Sequence, residues 1–360
     1  MTRRGALWAA GAAGLAGLGS YAWFERRGLV RADIGRKKKG LMGLIEAAGM
    51  APSRHNSQPW NVRLSEDAVR IGSDRGRWLP MVDPENRELA LSVGAFLENF
   101  LQAAPGFGYA AEYGVTGLTA SDAELIWVGL KKTAERYVPL DRIASRRTLR
   151  AQLGHELSGA DVKYLLSGFE GRAAYYPAGS REGRYLAAGT VEANRVQAMR
   201  DDAQEELAGR IRWNDADARL FRNGLTPEAM EITGAAGWYV RHFLKRDSVM
   251  TKEFRDDTVA RVRDQVGSCG GWLVVTSLDT GLAQLIETGR RVERMWLGVR
   301  ERGIAVHPMM QILEEAEFQD RVAGEIGVTG PVQFLLRVGY VDRYPAAVSL
   351  RMPAERLITG

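Results

Sequence analysis

Two short polar stretches carry most of the chemistry open to this 360-residue chain. The first is Ala51-Pro52-Ser53-Arg54-His55-Asn56-Ser57-Gln58-Pro59-Trp60, with prolines stiffening the backbone at either end. Its hydroxyl, guanidinium, imidazole and amide groups can donate or accept hydrogen bonds, and two of them can be cationic. Such a set suits the polar edges of a flat, anionic ligand. The second is Arg146-Arg147-Thr148-Leu149-Arg150. Its three guanidiniums, with the Thr148 hydroxyl between them, make a phosphate clamp, because arginine stays charged and grips phosphate at two points.

Other chemistries lack the residues they need. Cys269 is the only cysteine, which leaves neither an intrachain disulfide nor a thiolate metal site. His55, His155, His242 and His307 are scattered, and no His-Glu-x-x-His arrangement occurs. The net charge of +5 is mild and its signs interleave, without the basic stripe and aromatic spacing of a nucleic-acid reader. Gly106-Phe107-Gly108-Tyr109-Ala110-Ala111 imitates a dinucleotide fingerprint, but it follows a helical pattern rather than a strand. It is expected to be a helix C-cap and turn.

The elements that must position these stretches can be read from periodicity. A helix-like run from Leu41 to Met50 leads into the Ser53 loop, and alternating patterns predict strands at Asn61–Leu64 and Ala68–Gly72. Asp83-Pro84-Glu85 marks a turn before an amphipathic helix from about Asn86 to Ala104. Strands near Ala111 and over Leu125–Gly129 follow. The later chain repeats this plan. A helix from about Leu282 to Arg302 exits at Gly303-Ile304-Ala305, so that Gly94, Glu98, Gly108 and Ala110 fall on Gly289, Glu293, Gly303 and Ala305. The offset is constant (289 − 94 and 305 − 110 both give 195). Between the repeats, residues 191–257 are helix-rich, charged and aromatic, with Trp213, Trp238, Tyr239 and Phe243. A helical insert of that size is read either as a lid over a site or as added core.

At the N-terminus, Arg3-Arg4 precedes an apolar run from Gly5 to about Phe24, closed by Glu25-Arg26-Arg27. This has the form of a twin-arginine export signal and is also about long enough to span a bilayer. Export to the periplasm or anchoring in the inner membrane is the expectation, with a cytoplasmic location as the alternative. The domain plan is therefore residues 1–36 as signal or anchor, 37–139 as a first half, and 140–360 as a second half carrying the insert.

Pro-Ser-x-x-Asn-Ser-Gln-Pro-Trp resembles the flavin-contacting loop of the nitroreductase family of FMN enzymes. Arg146, Thr148 and Arg150 resemble that family's Arg-x-Ser-x-Arg/Lys phosphate motif, with threonine in place of serine. In the family the two motifs act from different subunits. One chain holding one of each resembles the Acg-like branch, in which a dimer has become a single polypeptide. The resemblance runs from about Leu41 to the end, including Asp83–Glu88 and Leu336–Tyr340. It implies an α+β nitroreductase-like fold, internally duplicated into a pseudo-dimer, with one FMN at the junction. It further implies cofactor contacts from Pro52, Ser53, Arg54, Asn56 and Gln58, and from Arg146, Arg147, Thr148 and Arg150. Gln265 would lie at the flavin pyrimidine edge and Arg351 would complete the phosphate site. Pro308, Met310 and Gln311 stand where the family aims backbone amides at flavin N5, though without its usual Glu-Gly pair. The implied activity is electron transfer from NAD(P)H to a quinone or nitro acceptor, with the flavin and no side chain as the catalyst. The rival reading is an FMN-binding or storage protein with little turnover.

Overall fold

The computed structural model describes residues 38–359. The apolar N-terminal run, and with it the expectation of export or anchoring, lies outside the described residues. Helix α1 (Gly40–Ala48) buries Leu44, Ile45, Ala47 and Ala48 completely. The Ser53 loop follows, and β1 (Trp60–Leu64) forms a hairpin with β2 (Ala68–Ser73). Helix α2 (Arg87–Ala103) is buried along most of its length and leads to β3 (Tyr109–Val115) and β4 (Ile126–Lys132). These strands form one antiparallel sheet in the order β1-β2-β4-β3.

The short helix α3 (Leu140–Ser145) passes the chain to the second half, which opens with α4 (Gly159–Leu166) and β5 (Ala173–Pro177). The serine hydroxyl of Ser158 caps α4 at the Asp161 N–H, as N-cap serines do. Five helices then intervene before the next strand: α5 (Arg181–Met199), α6 (Asp201–Arg210), α7 (Asp215–Phe221), α8 (Gly234–Phe243) and α9 (Lys252–Gly267). The sheet resumes with β6 (Gly271–Thr276), helix α10 (Leu282–Gly298) and β7 (Ile304–Pro308). Helices α11 (Gln311–Glu314) and α12 (Ala316–Ile326) precede β8 (Val332–Tyr340). The second sheet is also antiparallel and runs β5-β6-β8-β7, the same order as the first. The added helices therefore occupy the β5–β6 connection, whose counterpart in the first half is the tight turn between β1 and β2. Residue 191, the expected start of the insert, falls inside α5.

The halves join through α2 and α10, which cross at two glycines. A β-carbon on Gly94 would lie 2.1 Å from the Ile286 carbonyl oxygen, and one on Gly289 would lie 2.0 Å from that of Leu91. With the offset of 195, Gly94 corresponds to Gly289 and Leu91 to Ile286, so these two contacts are equivalents of each other across the repeat. Gly108 and Gly303 end their helical segments in the left-handed conformation (φ 77° and 66°). After β8 the chain crosses back onto the first half. Ile358 bridges Val62 of β1, and helix α13 (Ala354–Leu357) packs on α1.

A candidate cofactor site at the junction of the halves

A cavity of about 990 Å³ opens at this junction. Glu88, Leu91, Ser92 and Ala95 of α2 face it from one half, and Gly289, Val292, Glu293 and Trp296 of α10 from the other. All the residues expected at the site line it except Gln58 and Arg147.

The Ser53 loop reaches the cavity through a costly backbone. His55, Asn56 and Gln58 have φ of 47°, 52° and 53°, a conformation that non-glycine residues rarely adopt. Side-chain bonds hold it. The Ser53 hydroxyl oxygen accepts from the Gln58 N–H (2.9 Å). The Asn56 amide donates to the carbonyls of Gly224 and Leu350, both at 3.0 Å, and accepts from Arg351 Nη1 at 2.6 Å. Gln58 is fully buried. Its amide donates to the Arg222 carbonyl (3.1 Å) and its oxygen accepts from the Met352 N–H (2.9 Å). Gln58 therefore pins the insert and the C-terminal tail to the loop from behind the cavity. Its expected place as a cofactor contact is taken up by that role.

The arginines divide the same way. Arg147 points out of the cavity, pairing with Glu231 at 2.9 Å and donating to the Ala346 carbonyl. Arg150 points in. Its Nη1 donates to the Ala229 carbonyl (2.7 Å), and its backbone N–H to Glu231 (3.1 Å). Burial pushes the Arg150 guanidinium down to about 10, with Glu231 opposing the shift and Arg147 and Arg261 adding to it. Arg146 donates to the Met50 carbonyl (2.7 Å), lies 3.0 Å from Glu293 and stacks over Trp296. It thus ties the second half to the end of α1. Burial raises the Glu293 carboxyl to about 7 against the pull of Arg146. Arg351 is brought in by the returning tail and donates to the carbonyls of Met50 and Ala51 (3.1 and 3.2 Å). Burial, with Arg146 nearby, lowers it to about 9. Arg54 is held in a two-point ion pair by Glu314. The cavity therefore gathers several buried cations, and Arg150 and Arg351 sit in it without a direct carboxylate contact from their guanidiniums among the ion pairs described.

Gln265 donates to the Arg150 carbonyl (3.3 Å) and so braces the clamp from α9. Thr148 lies beside Leu149, whose N–H bonds to Val306 of β7. That bond sets the clamp next to Pro308, Met310 and Gln311. Gln311 opens α11, so its backbone N–H has no partner inside that helix, and its side-chain oxygen is buried without a hydrogen bond. His55 and His307 also line the cavity. Burial first, then neighbouring arginines, hold both well below the usual histidine range, so both are neutral near pH 7.

The insert supplies an apolar wall: Leu207, Ile211, Trp213, Tyr239, Val240 and Leu244. Sequence reasoning had placed no site residue there. Trp213 and Tyr239 stood out only as aromatics in a charged segment. His307 stood out only as one of four scattered histidines, and nothing in the local sequence of Trp296 or Arg261 shows which way they face.

The pseudo-symmetry also shows what became of the second junction. Arg290 occupies the counterpart of Ala95, and Glu287 that of Ser92. Arg290 pairs with Glu98 (3.1 Å) and Glu287 (2.8 Å), Arg294 pairs with Glu98 (2.7 Å), and Tyr113 lies under the Arg290 guanidinium. Where one junction presents Ala95 and Ser92 to a cavity, the other is filled by an ion-pair network.

No protein-family model matches the chain. It is 24% identical over 340 residues to a Mycobacterium tuberculosis protein named "Putative NAD(P)H nitroreductase acg", covering 88% of this chain and 94% of that one. It is 23% identical over 341 residues to a Serratia protein named "Probable NAD(P)H nitroreductase PigM", covering 89% and 94%. Among solved structures, the FMN-dependent nitroreductase NfnB of Mycobacterium smegmatis in complex with NADPH aligns with 59% of this chain and 91% of its own. The identity is 16% and the TM-score 0.38. The resemblance to Acg-like nitroreductases thus extends over nearly the whole sequence.

Proposed function

We propose that this Acg-like nitroreductase relative binds one FMN in the junction cavity and catalyses electron transfer from NAD(P)H to a quinone or nitro acceptor. The observation that carries the reading is the meeting of the two polar stretches, one from each half, around a single cavity with Arg150 turned into it. The residues fit the group. The volume lies in the range of cofactor sites, Arg150 offers an incompletely neutralised guanidinium to a phosphate, and Gln311 offers an unpartnered amide oxygen.

When bound, FMN supplies the redox chemistry, taking hydride from NAD(P)H and returning electrons to the acceptor. The chain supplies position and electrostatics. Arg150 and Thr148 would hold the phosphate end. Asn56, Arg146 and Arg351 lock the loop, the α1 terminus and the tail into one rigid wall. Neutral His55 and His307 keep added positive charge out of an already cationic site. The apolar insert wall excludes water and offers a surface to a flat acceptor.

A second reading, FMN binding or storage with little turnover, draws support from the same insert wall and from Pro308-Met309-Met310-Gln311 in place of a Glu-Gly pair. Stopped-flow mixing of the yellow protein with NADPH, and separately with NADH, distinguishes them. Rapid bleaching of the flavin band supports the reductase, whereas no bleaching with either nucleotide defeats it. If Asn56→Ala and Arg146→Ala both keep full FMN affinity, the site assignment itself fails.

A further inference from the structure

Helix α8 presents its apolar stripe to solvent. Gly237 and Val240 turn inward, while Ala235, Trp238, Tyr239, His242 and Phe243 form the exposed face. These five follow the spacing i, i+3, i+4, i+7, i+8 that normally marks the buried side of a helix. Trp238 is 55% exposed and Phe243 57%. The rings are also organised into a ridge, with Trp238 and Phe243 5.5 Å apart, Tyr239 and Phe243 5.1 Å, and Trp238 and His242 4.7 Å. Lys245 and Arg246 follow directly and are exposed, with Asp247 the adjacent acid. Arg241 is held by Glu228.

Tryptophan and tyrosine are the side chains that settle at a membrane–water boundary, and flanking cations meet anionic headgroups there. Two facts argue for a bilayer as the occupant of this ridge. Beside the rings two exposed cations, Lys245 and Arg246, stand against one acid, Asp247, and the sequence ahead of the described residues holds an apolar run of bilayer-spanning length bounded by arginines. Such a run would hold the body of the protein at the same surface. Among the described residues no helix is long and apolar enough to cross a membrane, so α8 would lie on the surface and not through it.

We propose that α8 is a membrane-docking helix that seats Trp238, Tyr239 and Phe243 in the headgroup region of an anionic bilayer. Tyr239 and Val240 also line the junction cavity, so docking sets the apolar wall of that cavity beside the membrane. The proposal stands whether or not the cavity supports turnover.

The test uses the full chain with vesicles of equal parts phosphatidylcholine and phosphatidylglycerol, with and without brominated acyl chains. Tryptophan quenching is compared in the wild type, Trp238→Phe and Phe243→Glu, each checked by far-UV circular dichroism. The expected result is a quenched component that disappears in Trp238→Phe, is lost in Phe243→Glu, and weakens at high salt. Identical quenching in the wild type and Trp238→Phe overturns the proposal, because the contact then lies in the N-terminal run. Trp238 emission already shielded from iodide without lipid also overturns it, as does a lipid-free dimer that Phe243→Glu converts to monomer. With iodide shielding in a monomer the N-terminal segment covers the ridge, and with the dimer another copy does.

Discussion

Arg147 and Arg150 stand three residues apart on one loop, yet the fold gives them opposite tasks. Arg147 is consumed by Glu231 and the Ala346 carbonyl, whereas Arg150 keeps donor capacity toward the cavity. A charge-assisted hydrogen bond contributes about 1.5–3 kcal/mol. Arg150→Ala should therefore weaken FMN binding about ten- to a hundredfold, as followed by quenching of FMN fluorescence. Arg147→Ala should leave that affinity nearly unchanged and lower thermal stability, since it removes the ion-pair partner of the partly buried Glu231 and leaves it only the Arg150 N–H. The reverse pattern would mean that the phosphate lies on the other side of the loop. The sequence displayed three equivalent guanidiniums. Which of them reaches the cavity depends on Glu231 and Ala346, which lie some eighty and two hundred residues further along, and no local pattern encodes that. Asn56 and Gln58 are similar cases. Their types suggested ligand contacts, but much of their hydrogen-bonding capacity is spent on residues 222–224 and 350–352.

At the level of elements, the contact between α2 and α10 is the joint of the molecule. Both backbones approach so closely that a methyl group at Gly94 or Gly289 would collide with a carbonyl oxygen. Gly289→Ala must push the helices apart through the shared core. It should cost at least about 3 kcal/mol, toward the upper end of overpacking penalties. Gly209→Ala in α6 meets open space and should be neutral or stabilising by up to about 1 kcal/mol. Urea unfolding of both variants checks the contrast. If Gly289→Ala is as stable as the wild type, the crossing is looser than described. These helices, their glycine exits and their common offset were legible because periodicity and left-handed caps are local signals. The size of the added segment was less so. Helix α5 runs without a break through the expected boundary at residue 191, and only the pairing of β5 with β6 shows that everything between them is one excursion.

Over the whole molecule, two sheets of identical strand order meet across one pseudo-two-fold joint, and the two junctions that this symmetry creates have diverged. One keeps Ala95 and Ser92 beside a cavity. The other holds Arg290, Glu287 and Glu98 in a packed network. The duplication could be anticipated from the repeat and from the split of the motifs between halves. The filling of the second junction could not, because Arg290 reads in sequence as one more helical arginine. A protein of this build should hold one FMN per chain, which flavin absorbance against protein mass will establish. Two per chain would show that the network yields to ligand.

The tail that returns from β8 to lay Ile358 against β1 has a further consequence. A site shared between separate subunits falls apart on dilution, since its two walls must find each other by diffusion. Here both walls belong to one covalent strand, and the tail clasps the far half as well. Their effective concentration is fixed by tether length and not by how much protein is present. The cavity therefore persists in a cell that makes only a few copies, and its occupancy follows cofactor supply alone.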